Sequence, residues 1–339
     1  MELLRRLMGV LAPSGYEQEL RKIIMRYMRR YVDEVYVDKL GNLICHKKGK
    51  GPKIMLAAHM DEIGLIVKHI KNDGKIYFST IGGIETVTLL GQYVSLITPK
   101  TNIRGVISFH ELQEDGEIPS SVPSLDDIYI DAGVSKAELE KLGVQVGTYA
   151  IPFQETCLLG SKEIISGKAL DDRVGCYILM ELSRRLEGSK QEVYYTFTVQ
   201  EEIGLYGAKT SVYEISPDWG IAVDATNAVD AGSEPRKLIG AGPTITVKDS
   251  DLIANRCLNE YLINIAKKRK IPVQLEVEEV GTTDATNIML SRGGIPSSVV
   301  GIPVRNLHST VGIAHLEDIR RAIELLYHFM KNPPKTCVV

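Results

Sequence analysis

The chain of 339 residues exceeds the roughly 250 residues that one hydrophobic core usually fills, so two domains are expected. With 44% hydrophobic and 24% charged residues, it has the composition of an ordinary globular protein, which excludes a disordered chain. A formal charge of -3 leaves no basic field for indiscriminate nucleic-acid binding, and no run reaches the ~18 apolar residues of a membrane span, so neither nucleic acid nor membrane is an expected partner.

The opening "MELLRRLMGVLAPSG" has neither the apolar stretch nor the small-residue cleavage site of a secretory signal, which predicts a cytoplasmic protein. Ser14 and Glu17 have capping-box spacing, and Leu20, Ile23, Ile24, Tyr27, Met28 and Tyr31 follow at helical intervals. "VYVDKLGNLICHK" alternates around a Gly-Asn turn, and "KIMLAA" is apolar on both faces, as in a strand inside a covered sheet. From about Leu65 to Pro152 come short β-type runs, "LIVKHI", "KIYFST", "YVSLIT", "RGVISF" and "DIYIDAGV", which predict a small β-rich domain or barrel. Within it, "HELQEDGEIPSSVPSLDD" reads as a mobile loop.

After Thr156 helical and strand patterns alternate: "RVGCYILMELSRRL", "VYYTFTV", "WGIAVD", "LNEYLINIAKKRK", "PVQLEVEE", "SSVVGI" and "LEDIRRAIELLYHFMK". This rhythm predicts an α/β fold with a covered, mostly parallel sheet. The expected division is a discontinuous α/β domain over 1–66 and 156–339, interrupted by the β-rich insert over 67–155. Cys45, Cys157, Cys176, Cys257 and Cys337 show no CxxC pairing and are expected to be unpaired core or surface residues.

Acids or imidazoles stand at the end of an apolar strand or just before a helix in "AAHMDE" (His59, Asp61), "KALDDRVG" (Asp171, Asp172), "FTVQEEIG" (Glu201, Glu202), "IAVDAT" (Asp224) and "IPVRNLHST" (His308). The carboxyl ends of strands in open α/β sheets gather on one edge, where ligands bind. Carboxylates crowded there need neutralising, and imidazoles mixed with carboxylates suit zinc, cobalt or manganese better than magnesium or calcium. In "HMD", Asp61 can hold the second ring nitrogen of His59. In "EE", one glutamate can bind metal while the other acts as general base. Asp172 also suits a helix N-cap. His46, His69, His110, His315 and His328 carry no such context and are assigned to core or surface.

Taken together, "AAHMDEIG", "GKALDDRVG", "QEEIGLYGA", "IAVD", "GTTDATNI" and "NLHS", in this order and with the β-rich insert after the first, resemble the M42 family of co-catalytic metallo-aminopeptidases, which includes the tetrahedral (TET) peptidases and proteins labelled endoglucanase. The resemblance implies two divalent metal ions per subunit. His59 and Asp224 would bind one and Glu202 and His308 the other, with Asp171 bridging, Glu201 as general base, Asp61 orienting His59 and a cis peptide between Asp171 and Asp172. It further implies removal of the N-terminal residue of short peptides by a metal-activated water, and a homo-oligomer in which the β-rich domain makes dimers that build a tetrahedral dodecamer. Thr286, Asn287 and the "ATNAVD" stretch depart from the family's usual residues, so the side-chain preference does not transfer. The competing readings are a related carboxypeptidase or deacylase, a glycoside hydrolase using paired carboxylates, and a non-catalytic scaffold.

Overall fold

The computed structural model describes residues 1–109, 123–188, 191–232, 235–335 and 337. Most of the "HELQEDGEIPSSVPSLDD" stretch, with His110, lies outside them. The fold is mixed α/β, with an eleven-stranded sheet and a closed six-stranded barrel.

Four strands form the centre of the sheet, in the order Glu192–Thr198, Lys53–His59, Trp219–Asn227 and Ser297–Arg305, all mutually parallel. Side chains alternate across it as the strand period requires. Ile54, Leu56 and Ala58 join the main core, while Met55 and Ala57 pack with Val212, Ile215 and Ile288 on the other face. The helices Leu170–Arg185 and Leu316–Lys331 cover the first face, and Tyr206–Ile215 and Asp284–Met289 cover the second. Being covered on both faces is why these strands read as nearly continuous apolar runs.

The expectation of a mostly parallel sheet is corrected: the sheet is mixed. Parallel pairing is confined to the central four strands and to Thr244–Lys248 with Gln274–Val277. The flanking strands Glu34–Val37, Leu43–Lys47, Gly312–His315, Ile164–Gly167 and Cys157–Leu158 pair antiparallel. Short connections impose this where the partners are neighbours in sequence, as in Glu34–Val37 with Leu43–Lys47, Cys157–Leu158 with Ile164–Gly167 and Ser297–Arg305 with Gly312–His315, because a parallel return needs a crossover of a dozen or more residues. The turn of the Glu34–Val37 hairpin is held by Asp38 Oδ1, which accepts the N–H groups of Leu40, Gly41 and Asn42.

The barrel runs from Gly64 to Pro152 through Gly64–Ile70, Ile76–Ile81, Ile128–Asp131, Ile103–Phe109, Tyr93–Leu96 and Tyr149–Pro152, closing back on the first. Closure removes free edges. Leu65, Val67, Phe78, Val94, Ile107 and Ile130 fill a core of its own.

Two further expectations change. The helix Gln18–Met28 forms, but without a capping box, because its N-cap is Glu17 rather than Ser14, and Ser14 instead donates its hydroxyl to Asp61 Oδ2 at 2.6 Å. Cys257 and Cys337 are joined in a disulfide across a sequence separation of 80, correcting the expectation that all five cysteines are unpaired. No helix among the described residues is long and apolar enough to cross a membrane.

Candidate active site

Because the four central strands run the same way, their carboxyl ends meet on one edge, and each delivers a functional side chain there. His59 is the last residue of its strand and pairs in register with Thr198, whose chain continues into Glu201 and Glu202. Asp224 pairs with Gly301, and the strand carrying Gly301 continues to His308. Left-handed backbone at Asn306 (φ 56°) and His308 (φ 57°) turns that loop back toward the sheet edge.

The centre is Asp171. Its Oδ1 stands 2.9 Å from His59 Nε2 and its Oδ2 stands 3.6 Å from His308 Nε2. His59 Nε2 also lies 3.5 Å from Asp224 Oδ1 and 4.0 Å from Glu201 Oε2, and His308 Nε2 lies 4.0 Å from Glu202 Oε2. Six of the eight residues singled out from the sequence therefore occupy one neighbourhood. The Asp171–Asp172 peptide is cis. Asp172 points inward, accepting the His59 N–H at 3.2 Å and, as a helix cap, the Gly175 N–H at 2.8 Å. Gly175 is required at this crossing, since a Cβ there would sit 2.3 Å from Asp172 Oδ2 and 2.4 Å from the Val223 carbonyl oxygen.

Asp61 differs in detail from the expectation. The ring nitrogen Nδ1 of His59 is 3.1 Å from the Asp61 backbone carbonyl and 3.6 Å from its carboxylate. The carboxylate is committed elsewhere, accepting the N–H groups of Glu201 (3.0 Å) and Glu202 (3.2 Å) and the hydroxyl of Ser14. Burial pushes the Asp61 carboxyl up, but His59, Ser14 and the Glu201 amide outweigh it and hold the group below the usual range.

Burial raises the carboxyls of Glu201, Glu202 and Asp172 well above the ordinary value, and Asp224 as well, and their mutual repulsion adds to this. Burial opposes a charged ring at His59, yet Glu201, Asp171, Asp224 and Asp61 around it drive its pKa well up. Such a cluster lacks positive charge. Buried Glu202 Oε1 has no hydrogen-bond partner. Donor atoms of His59, Asp171 and Glu202, and again of His59, Asp172 and Asp224, lie within 4.8 Å of one another. Two imidazoles, several carboxylates and an orphaned carboxylate oxygen fit divalent cations of the zinc class.

The other described histidines sit apart from this chemistry. His46 stacks on Tyr194 and His69 on Tyr77, His315 caps the closing helix through Glu317 N–H, and His328 lies on that same helix. Sequence reasoning assigned nothing to Asp284, although it is buried here and accepts the Thr198 hydroxyl at 2.6 Å; burial pushes its carboxyl up to about 7. A lone Asp at a helix start gave no signal beyond an ordinary cap.

A pocket of about 520 Å³ opens beside the cluster. His59, Asp171, Glu201, Asp224 and His308 line its inner end, and Thr226, Lys237, Asp249, Glu276 and Glu278 stand on its walls. Thr286 and Asn287 instead bond Thr282 and the Leu205 carbonyl. The barrel supplies Gly83, Ile84 and Glu85 to the lining. There a Cβ on Gly82 would lie 3.0 Å from Glu202 Oε2, and one on Gly83 would lie 3.4 Å from His308 Nδ1.

A mixed sheet with this acid and imidazole cluster at its parallel strand ends, joined to a barrel that roofs it, defines a metal-dependent aminopeptidase. The chain belongs to the M42 peptidase family: the model of M42 glutamyl aminopeptidase matches residues 41–325. It is 34% identical over 331 residues to the lysyl aminopeptidase of Pyrococcus furiosus, covering 96% of this chain and 94% of that protein. The aminopeptidase APDkam598 of Desulfurococcus kamchatkensis is 40% identical and superposes with a TM-score of 0.94 over 98% of this chain and 95% of that one. The Pyrococcus horikoshii TET1 peptidase, described as assembling into a tetrahedron or a large octahedral shell, is 31% identical with a TM-score of 0.88, covering 98% and 99%.

Proposed function

We propose that this aminopeptidase hydrolyses the first peptide bond of short peptides using two divalent cations, zinc, cobalt or manganese. His59, Asp224 and Asp171 would hold one, and Glu202, His308 and Asp171 the other. The carrying observation is that the two oxygens of Asp171 face two different imidazoles, at 2.9 and 3.6 Å. When bound, such ions polarise the scissile carbonyl and acidify water.

The remaining chemistry belongs to the chain. Glu201 takes the proton of the attacking water at its carboxylate and later delivers it to the leaving amine. Asp61 positions it by accepting its backbone N–H, and Asp61 also fixes the His59 ring through the carbonyl contact at Nδ1. A glycoside hydrolase needs a carboxylate pair only and leaves both imidazoles without a task.

Residues 67–155 are proposed to act as a unit that joins subunits into a homo-oligomer, a dimer building to a dodecamer. Support comes from the TET1 relative's description and from the barrel's separate core.

The reading is tested by supplying one peptide with a free and with an acetylated N-terminus to metal-loaded protein. Cleavage of the free peptide alone is expected. Equal cleavage of both, or attack on the acetylated form only, replaces the reading with a carboxypeptidase or deacylase.

A further inference from the structure

The relatives' names span lysyl and glutamyl specificity, so membership in the family leaves open which residue is removed. The walls of the pocket address this. Besides Glu85 from the barrel, three carboxylates, Asp249, Glu276 and Glu278, stand there with one ammonium, Lys237.

An ammonium has three N–H donors, and Lys237, 3% exposed, has three acceptors: Thr226 Oγ1 at 2.7 Å, Glu276 Oε2 at 2.9 Å and Glu278 Oε1 at 2.7 Å. The lysine is spent on its own neighbours and has no donor left for a substrate carboxylate. Both oxygens of Glu276 are likewise engaged, taking the hydroxyls of Thr226 and Thr246 besides Lys237.

Asp249 is different. Its Oδ1 accepts the N–H groups of Asp251 and Leu252, but Oδ2 is buried with no hydrogen-bond partner, in a residue only 6% exposed. What this wall has left to offer is acceptor capacity and net negative charge. A buried, unpaired carboxylate oxygen on the wall of a cavity is a standing penalty that an incoming cation removes.

The strand Trp219–Asn227 supplies the distance. Asp224 and Thr226 are two residues apart on one face, about 7 Å along the strand. That interval runs from the proposed metal ligand Asp224 to Thr226, whose hydroxyl binds Lys237, and sets this network about one side-chain length from the cluster in the pocket that Asp249 also lines.

We propose that this wall selects a basic N-terminal residue, lysine or arginine, with Asp249 as the specificity-determining residue and Glu278 assisting at the rim. The proposal rests on the aminopeptidase reading above. An acidic side chain would face Asp249, Glu276 and Glu278 with Lys237 already committed, and an apolar one would leave Asp249 Oδ2 unpaired.

The test is a panel of lysyl, arginyl, leucyl and glutamyl p-nitroanilides with metal-loaded wild type, Asp249→Asn and Glu278→Gln. Wild type is expected to show kcat/KM at least ~10-fold higher for the basic pair. Asp249→Asn is expected to lower the lysyl-to-leucyl ratio about tenfold, and Glu278→Gln to lower it by a smaller factor. If Asp249→Asn does not fold, the wild-type ratio and the rim variant decide, since Glu278 is 38% exposed. Good turnover led by leucyl or glutamyl substrates overturns the basic preference and leaves the aminopeptidase reading standing. An unchanged ratio in the variants overturns the assignment of these residues. No turnover of any of the four overturns both.

Discussion

Asp61 Oδ1 accepts the backbone N–H of Glu201 at 3.0 Å, so the residue that ends one strand's turn fixes the first residue of the next catalytic loop. The other oxygen of the same carboxylate takes the Glu202 N–H and the Ser14 hydroxyl. Replacing Asp61 by Asn puts a donor where an acceptor is required. Activity and metal affinity are each expected to fall about 10- to 100-fold, read from kcat/KM and from metal titration. Wild-type values for both would remove Asp61 from its positioning role.

Glu201→Gln preserves shape and removes the proton acceptor. A drop in kcat of about 10²- to 10⁴-fold is expected, with metal content by elemental analysis equal to wild type. Loss of metal in this variant would instead make Glu201 a ligand.

The metal-free protein carries a defined pH signature. Carboxyls raised in the fold hold protons that the unfolded chain has released, so the native state binds more protons from about pH 4 up to the value of about 7 for Asp284. Asp172, Glu201, Glu202 and Asp224 act in the same sense. Stability therefore falls as pH rises through that window. Raised His59 adds to the fall, since its contribution disappears as pH climbs through its folded value. Asp61, held low, acts oppositely, and its contribution is lost only on acidification below the carboxylate range. Calorimetry on chelator-treated protein should show a midpoint that drops between about pH 4 and 7, and refilling with zinc or cobalt should flatten the trend. A flat profile without metal would contradict the crowding of charge described for this edge. Chelation should also abolish turnover.

Glu62 lies beneath the site with Lys168 Nζ at 2.7 Å and Arg173 at 3.1 Å, all three side chains buried. Burial lowers Lys168 to about 8, against the pull of Glu62. Glu62→Gln removes the carboxylate that pairs both Lys168 and Arg173 and leaves their buried charge uncompensated, and a loss of about 3 to 5 kcal/mol is expected in denaturant unfolding. A change below about 1 kcal/mol would mean that water enters and solvates the pair.

The parts of the site legible in the sequence were those where one local stretch carries both the apolar run and the charge that ends it, as in "KIMLAAH" and "YYTFTVQEE". Parts built by pairing between distant segments left no local mark. Thr246 and Glu276 meet because Thr244–Lys248 pairs with Gln274–Val277, and Lys237 joins them from a separate segment. Glu276 and Glu278 do alternate at strand period, which was the one available hint. The disulfide spans 80 positions, and Ser14 gives up a local cap for a partner 47 residues away. In each case a long-range contact won over the short-range pattern. The first antiparallel hairpin was legible in "VYVDKLGNLICHK", but the pairing of Ile164–Gly167 with Gly312–His315 joins distant segments and left no local mark.

Gly82 and Gly83 belong to the segment that follows the barrel strand Ile76–Ile81, yet they press against Glu202 and His308. The barrel is thus part of the ceiling of the reaction chamber. Cutting it out and sealing the gap with a linker would unroof the chemistry, so the two halves of this polypeptide must be inherited as one machine.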